Sequence, residues 1–287
     1  MPYQLRDLNI KVHAIFKFAS EYFHSKKKLN NISETGFNKL VLMINEVIFS
    51  FMDQRDEKDQ ELYVMIHSAL RPFGDKKDAY FDNLFKSLTK NFPEVNFLVP
   101  TYTFSYRKSG IFHKEISRSE VGSFSEAFRT KLSNYRTNDP IFSISCLKEP
   151  SADFISASQK GFYSSEGLMN YLYKNKCYVI NLLTQDIVSS FIHLAESSSS
   201  VKYKSFDHKY FGYIYESGKY IKRSVLSSKD KILNQINRKK IRKNLEEDHL
   251  ISKFEIDGYS CYTFSSQEIV DFLNVKCLES KNYIVTF

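Results

Sequence analysis

The chain has 287 residues, 42% of them hydrophobic and 26% charged, which fits one large or two small soluble globular domains. Its net charge of +8 favours anionic partners such as nucleotides, coenzyme A or nucleic acid, and disfavours a polycationic substrate. No apolar run is long enough for a membrane span, the first residues lack a signal-peptide pattern, and the four widely spaced cysteines predict reduced thiols rather than a metal site, so we expect a cytoplasmic protein.

Two helices are predicted at the start of the chain. Apolar residues at helical spacing predict one helix over residues 5–25 and a second over residues 37–52. The charged stretch 53–60 that follows is typical of a surface linker. We therefore expect a helical lead-in over residues 1–60 and one compact α/β unit over residues 61–287.

Strands and helices alternate in the next part of the chain. Residues 62–66 and 95–99 are short apolar runs typical of buried strands, and an amphipathic helix is predicted between them over residues 80–92. This βαβ pattern predicts an α/β fold with a central sheet that is flanked by helices on both faces.

The middle of the chain continues this pattern with one polar interruption. Residues 105–125 are polar and predict irregular structure, and a helix is predicted over residues 124–132. A strand over residues 141–146 and a loop with a helix over residues 161–175 follow.

A strand, a polar turn and a short helix stand in sequence over residues 178–196. Apolar residues 178–183 predict a buried strand, residues 184–186 form the turn, and the helix carries His193 and Glu196. Residues three apart share a helix face, so the carboxylate can reach the imidazole and orient it as a general base. The alternative interpretation is a buried structural histidine that the carboxylate merely satisfies.

Polar residues follow the ends of three predicted strands. His67 and Ser68 follow the first, Thr101 follows the second, and the turn 184–186 follows the third. Because ligands of such sheets gather at the carboxyl ends of the strands, we expect these residues around one site.

The C-terminal third mixes aromatic and charged segments. Residues 203–215 are rich in aromatic side chains, and strands and a last helix, capped by Ser266, are predicted beyond residue 253. The basic run 237–243 admits a nucleic-acid-binding interpretation, but its acidic neighbours favour a solvated helix with segregated charge.

Five short motifs occur in order: His67-Ser68-Ala69-Leu70, Pro100-Thr101-Tyr102-Thr103, Ser119-Glu-Val-Gly122 with Glu126-Ala-Phe-Arg129, Arg136 with Pro140 and Ser143, and His193-Leu-Ala-Glu196. In this order and spacing they resemble the antibiotic N-acetyltransferase family, whose type members are the aminoglycoside 3-N-acetyltransferases. The resemblance runs from about Leu62 to Glu196 and continues more weakly to the C-terminus.

The resemblance implies acyl transfer from acyl-coenzyme A to an amine, without a metal. It implies that His193 is the general base, that Glu196 orients it, and that Ser190 helps to stabilise the oxyanion. The residues expected at coenzyme A are His67, Ser68, Ala69, Arg71, Thr101 and Ser119. The residues expected at the amine substrate are Tyr102, Phe104, Arg136, Asp139 and Asp186.

Departures from the family pattern leave the amine open. Asp139 replaces a family histidine, Ile187 and Val188 replace an aspartate and a threonine, and Asp186 is displaced by one place. The basic, aromatic-rich composition favours a nucleotide-linked (dTDP or UDP) amino-deoxy sugar of surface-polysaccharide (lipopolysaccharide) biosynthesis, with its nucleobase stacked near Tyr102. An aminoglycoside, as in antibiotic resistance, and a non-enzymatic role in binding an anionic polymer are the alternatives.

Overall fold

A computed structural model describes residues 31–55, 61–69, 71–230 and 235–286, so the predicted helix over residues 5–25 lies outside the described part. Residues Ile32–Phe287 form one compact unit. No helix within the described ranges is long and apolar enough to cross a membrane.

The central sheet has seven strands in the order β10-β11-β6-β1-β2-β5-β4. The inner strands β6, β1 and β2 are parallel, whereas the strands on either side of them pair antiparallel. The strand bounds are β1 Leu62–Ser68, β2 Val95–Pro100, β4 Tyr135–Arg136, β5 Ile144–Cys146, β6 Tyr178–Leu182, β10 Ser252–Ile256 and β11 Tyr259–Ser265. The carboxyl ends of the parallel strands therefore meet at one edge of the sheet.

Strand β1 shows why both faces of the sheet are covered. Its side chains alternate between two hydrophobic cores, with Tyr63 and Met65 in one and Val64 and Ile66 in the other. All four side chains are fully buried. A strand that is apolar at every position requires helices on both faces, which is the predicted architecture, and the structure confirms it.

Nine helices of the described residues surround the sheets. Helices α1, α2 and α4 contribute to one core, and α6, α7 and α9 to the other. The bounds are α1 Glu34–Asp53, α2 Lys77–Asn91, α3 Tyr106–Ser109, α4 Ser123–Lys131, α5 Ala152–Ser158, α6 Leu168–Lys174, α7 Ser190–Ser198, α8 Arg238–Glu247 and α9 Ser266–Glu279.

A second sheet of three strands, β3-β7-β8, was not predicted. The aromatic-rich segment is strand β7 (Lys204–Glu216), which pairs with β3 (Ile111–His113) and β8 (Lys219–Asp230). The short strands β9 (Gln235–Ile236) and β12 (Val285–Thr286) also pair with each other.

The basic run folds as the amphipathic helix α8. Ile241 and Leu245 are buried, and Arg242 pairs with Glu246 at 3.0 Å where both side chains are partly exposed. Lys243 and Glu247 pair on the exposed side. This geometry matches the solvated helix with segregated charge.

The starts predicted for the last helix and for the strand over residues 141–146 were wrong. The last helix is capped by Ser265, not Ser266, through a reciprocal capping box with Glu268. The strand predicted from residue 141 begins at Ile144, because the amide N–H groups of the two residues after Pro140 donate to the Asp139 carboxylate instead of to a neighbouring strand.

Candidate active site

A cavity of about 510 Å³ opens at the carboxyl ends of β1, β2 and β6. The strand ends contribute His67, Ser68, Tyr102 and Thr184 to its wall, and the N-terminal half of α7 contributes Ser190 and His193. The cavity therefore lies where the parallel strands predicted a ligand site.

Part of the cavity wall carries unpaired polar atoms. His67 Nε2, Ser68 Oγ and Thr184 Oγ1 are buried and have no hydrogen-bond partner among the described residues. An unpaired buried polar atom costs about 1–3 kcal/mol, so such atoms in a cavity are candidates for ligand contact. Burial lowers the pKa of His67 to about 4, so its ring is neutral near pH 7. The Ala69 N–H already donates to the Leu182 carbonyl at 3.0 Å.

His193 and Glu196 form the central pair of the site. His193 Nδ1 lies 2.6 Å from Glu196 Oε2, with the imidazole 28% exposed and the carboxylate 1% exposed. An ionised carboxylate only accepts hydrogen bonds, so this contact selects the tautomer in which Nδ1 carries the proton and Nε2 is left for the substrate. Lys204 Nζ also lies 3.0 Å from Nδ1. The N-cap Ser189, whose hydroxyl accepts from the Phe191 N–H at 3.1 Å, fixes the start of the helix that carries this pair.

Glu196 has further donors that the sequence did not indicate. Tyr203 donates its hydroxyl proton to Oε1 at 3.0 Å, and Lys204 Nζ donates to Oε2 at 3.2 Å. Burial alone would raise the pKa of Glu196, but the hydrogen bond and charge of His193 and the charge of Lys204 outweigh it and lower this pKa. The carboxylate is therefore ionised and holds the imidazole in one tautomer.

Ser190 lies one turn before His193 and contacts Tyr102. The Tyr102 hydroxyl is 2.5 Å from Ser190 Oγ, and both side chains line the cavity. Tyr163 also lines the cavity, with its ring edge-on to the His193 imidazole at 5.9 Å.

The charged residues that line the cavity are cationic. Arg107 and Arg238 contribute to the wall, and the lining residues of the described part include no aspartate or glutamate. Arg107 lies 5.4 Å from the Phe104 ring centroid and donates to Ser227 Oγ at 3.3 Å. Arg238 is the first residue of α8, so only the tertiary fold brings this part of the basic run to the cavity.

The turn between β6 and α7 is built without glycine. Leu183 adopts a positive φ of 55°, and the Asn181 side chain accepts from the Val188 N–H at 2.6 Å and donates to its carbonyl at 2.9 Å. Asp186, predicted at the substrate, instead pairs with Arg242 at 2.8 Å and does not line the cavity.

Thr101 and Arg136, also predicted at the ligands, lie buried beside the cavity. Arg136 donates to the Thr101 carbonyl at 2.6 Å and to Ser143 Oγ at 3.1 Å. Thr101 Oγ1 lies 3.2 Å from the Ser143 carbonyl. Their polar groups are therefore used to hold backbone together, and neither side chain lines the cavity.

Asp139 and Ser119 do not line the cavity either. The Asp139 carboxylate accepts from two backbone N–H groups, and burial raises its pKa to about 6. Ser119 donates its N–H to Glu126 at 2.8 Å and lines a separate surface cleft at the start of α4. The prediction for the Arg71 side chain falls outside the described part of the structure.

Comparisons with known proteins agree on the fold. A family model described as aminoglycoside 3-N-acetyltransferase matches residues 65–277. The YokD protein from Bacillus subtilis is 16% identical with a TM-score of 0.61, and the match covers 77% of this chain and 88% of that one.

Two further solved structures were determined with ligands. AAC-IIIb in binary complex with CoASH is 15% identical with a TM-score of 0.62, covering 76% of this chain and 90% of that one. AAC-VIa bound to sisomicin is 15% identical with a TM-score of 0.61, covering 85% and 97%. No curated protein matches the chain.

Proposed function

The chain belongs to the aminoglycoside 3-N-acetyltransferase family, and on that premise we propose that it acylates the amine of a nucleotide-linked amino-deoxy sugar of surface-polysaccharide biosynthesis. Membership makes the chain an N-acyltransferase with an acyl-coenzyme A as its co-substrate. The identity of the amine is the new part of the proposal.

The observation that carries this proposal is the charge of the cavity wall. Arg107 and Arg238 line it, and the described lining residues provide no carboxylate. An aminoglycoside carries several ammonium groups, whose removal from water requires acidic partners. A diphosphate instead requires cationic or N–H donors, which the guanidinium groups supply.

Aromatic side chains at the same cavity suit a nucleobase. Phe104 is 37% exposed, and Tyr102 and Phe142 contact its ring at centroid distances of 5.7 and 6.4 Å. A base stacked on such a platform gains about 1–3 kcal/mol with little dependence on its identity.

The neutral polar atoms of the wall suit coenzyme A. His67 Nε2, Ser68 Oγ and Thr184 Oγ1 lack partners among the described residues, and amide and hydroxyl groups of a pantetheine arm would satisfy them. The cofactor role predicted for His67 and Ser68 is thus retained as contact with this arm, whereas the Ala69 N–H is already occupied.

His193 acts on the amine once the substrate ammonium has lost a proton to solvent. The neutral nitrogen attacks the thioester carbon, the C–N bond forms, and Nε2 of His193 takes the surplus proton. The carbonyl oxygen becomes an oxyanion, which the Ser190 hydroxyl and the first-turn N–H groups of α7 other than that of Phe191 stabilise. Collapse then breaks the C–S bond, and the thiolate leaves with the proton from the imidazolium. Glu196 stabilises that imidazolium while it exists.

An aminoglycoside amine is the second candidate. The family description favours it, as does the sisomicin complex of AAC-VIa. The cavity wall gives it less support, because the described lining lacks carboxylates.

Release of the coenzyme A thiol tests the two candidates together. Acetyl-coenzyme A is supplied with UDP- and dTDP-linked amino sugars or with gentamicin and sisomicin, and the His193→Ala variant gives the background rate. We expect kcat/KM at least about tenfold higher for a nucleotide-linked amine than for either antibiotic. Release with the antibiotics alone would overturn the proposed substrate and leave the acyltransferase assignment intact.

A further inference from the structure

We infer that Tyr102 is a positioning residue, whose hydroxyl donates to Ser190 Oγ and thereby leaves the Ser190 proton to face the thioester carbonyl. The inference rests on the proposed role of Ser190 at the oxyanion. In the family-like motif Pro100-Thr101-Tyr102-Thr103, the position of Tyr102 is variable. The inference therefore assigns a role to a residue that the motif does not specify.

The Tyr102 ring is held rigidly. It makes edge-to-face contacts with Phe142 and Phe162 at centroid distances of 5.3 and 5.9 Å. Its backbone carbonyl accepts from the Glu120 N–H at 2.8 Å, and the residue is only 8% exposed. A ring fixed on several sides places its hydroxyl with little loss of conformational entropy.

A phenol is a stronger acid than an aliphatic hydroxyl, so Tyr102 is the better hydrogen-bond donor of the pair. Burial raises the pKa of Tyr102 above its usual value, and the charge of Asp139 adds to this, although Ser190 acts in the opposite sense. The phenol therefore keeps its proton and can donate it at neutral pH.

A serine hydroxyl has one proton and two lone pairs. With Tyr102 donating to one lone pair at 2.5 Å and the Tyr163 hydroxyl able to donate to the other, the Ser190 proton is left for another acceptor. Both side chains line the cavity beside His193, so an incoming carbonyl oxygen can be that acceptor. Preorganised donors of this kind stabilise a developing oxyanion because they need not reorient during the reaction.

A double-mutant cycle tests the coupling. Steady-state kcat and KM are measured for wild type, Tyr102→Phe, Ser190→Ala and the double variant, with acetyl-coenzyme A and whichever amine of the thiol-release panel is turned over fastest. Tyr173→Phe and Ser198→Ala are matched controls, because they remove hydroxyls that bond to Asp271 and Asn274 outside the cavity. Thermal unfolding of each variant checks that the fold is retained.

We expect Tyr102→Phe to lower kcat about tenfold with KM little changed, and Ser190→Ala to lower it about 100-fold. The double variant should match Ser190→Ala, because Tyr102 then has nothing to position. In a Ser190→Thr background, which keeps a hydroxyl, Tyr102→Phe should again cost about tenfold. If the two losses in kcat multiply in the double variant, or if Tyr102→Phe changes only KM, the inference is wrong. Neither result bears on the proposed substrate. If no amine of the panel is acylated, both the inference and the proposed function are wrong.

Discussion

Two partners of the buried Glu196 carboxylate, His193 and Lys204, have different functions. A pair of substitutions separates these functions. Glu196→Gln removes the negative charge next to His193 Nδ1 at 2.6 Å and next to Lys204 Nζ at 3.2 Å. The Lys204 side chain is 9% exposed, so the variant removes the carboxylate that balances a buried ammonium. Removing one partner of a buried pair costs about 3–5 kcal/mol, and we expect that loss in the free energy of unfolding.

Turnover should fall for a separate reason. At an effective dielectric constant near 20, a carboxylate about 4 Å from an imidazolium stabilises it by up to ~4 kcal/mol. At 1.36 kcal/mol per decade, we expect kcat to fall by a factor of about 100–1,000. Lys204→Met in the Glu196→Gln background removes this ammonium and should restore stability but not turnover.

Urea unfolding and thiol release measure the two effects independently. Glu246→Gln, which loses a partly exposed partner of Arg242, is the control and should cost less than about 1 kcal/mol. Because the pKa of Glu196 is lowered by folding, its contribution to stability is complete above the usual carboxyl pKa and disappears as pH falls through the folded value. Recovery of turnover in the Glu196→Gln/Lys204→Met variant would refute the orienting role of Glu196.

Three other substitutions have defined outcomes. His193→Ala should lower kcat by about 100–10,000-fold with an unchanged circular dichroism spectrum, and near-normal turnover would remove it as the base. Folding raises the pKa of Asp139 to about 6, so its charge opposes stability above that pH. Asp139→Asn keeps an acceptor for both backbone N–H groups. Its free energy of unfolding, measured by urea titration, should be higher than wild type by about 1–3 kcal/mol at pH 7 but nearly unchanged below pH ~4. Arg238→Ala should raise KM for a nucleotide-linked amine about tenfold. Lys239→Ala changes an exposed neighbour outside the cavity wall and should leave KM unchanged. Equal increases in KM would show that only the overall positive charge of the protein matters.

The turn before α7 departs from the family pattern at Ile187 and Val188. Its hydrogen bonds explain why α7 still begins at Ser190. Asn181 bonds both backbone groups of Val188 and so closes the loop that leads into α7. Thr184 in this loop points an unpaired hydroxyl into the buried wall of the cavity. The loop therefore changes the cavity lining while Ser190 and His193 keep their places on α7.

Local patterns in the sequence determined the elements and the central pair. The apolar runs of β1, β2 and β6 specify buried strands, because only a sheet covered on both faces can bury every side chain of a strand. The His193/Glu196 contact follows from their spacing on one helix, whatever surrounds them. Strand ends also marked His67 and Ser68, whereas Tyr102, Phe104 and Ser190 were expected from the family resemblance. All five line the cavity.

Only the tertiary structure decided which polar residues face the ligand and which hold the backbone. Arg136 and Asp139 carry the same kinds of group as a binding residue, but neighbouring carbonyl and N–H groups already occupy them. Lys204 reaches the pair from the start of β7, and Arg238 reaches the cavity from α8, so no spacing within one element marks them. Hydrogen-bond partners and cavity walls depend on contacts between distant segments, and these contacts form only when the chain folds.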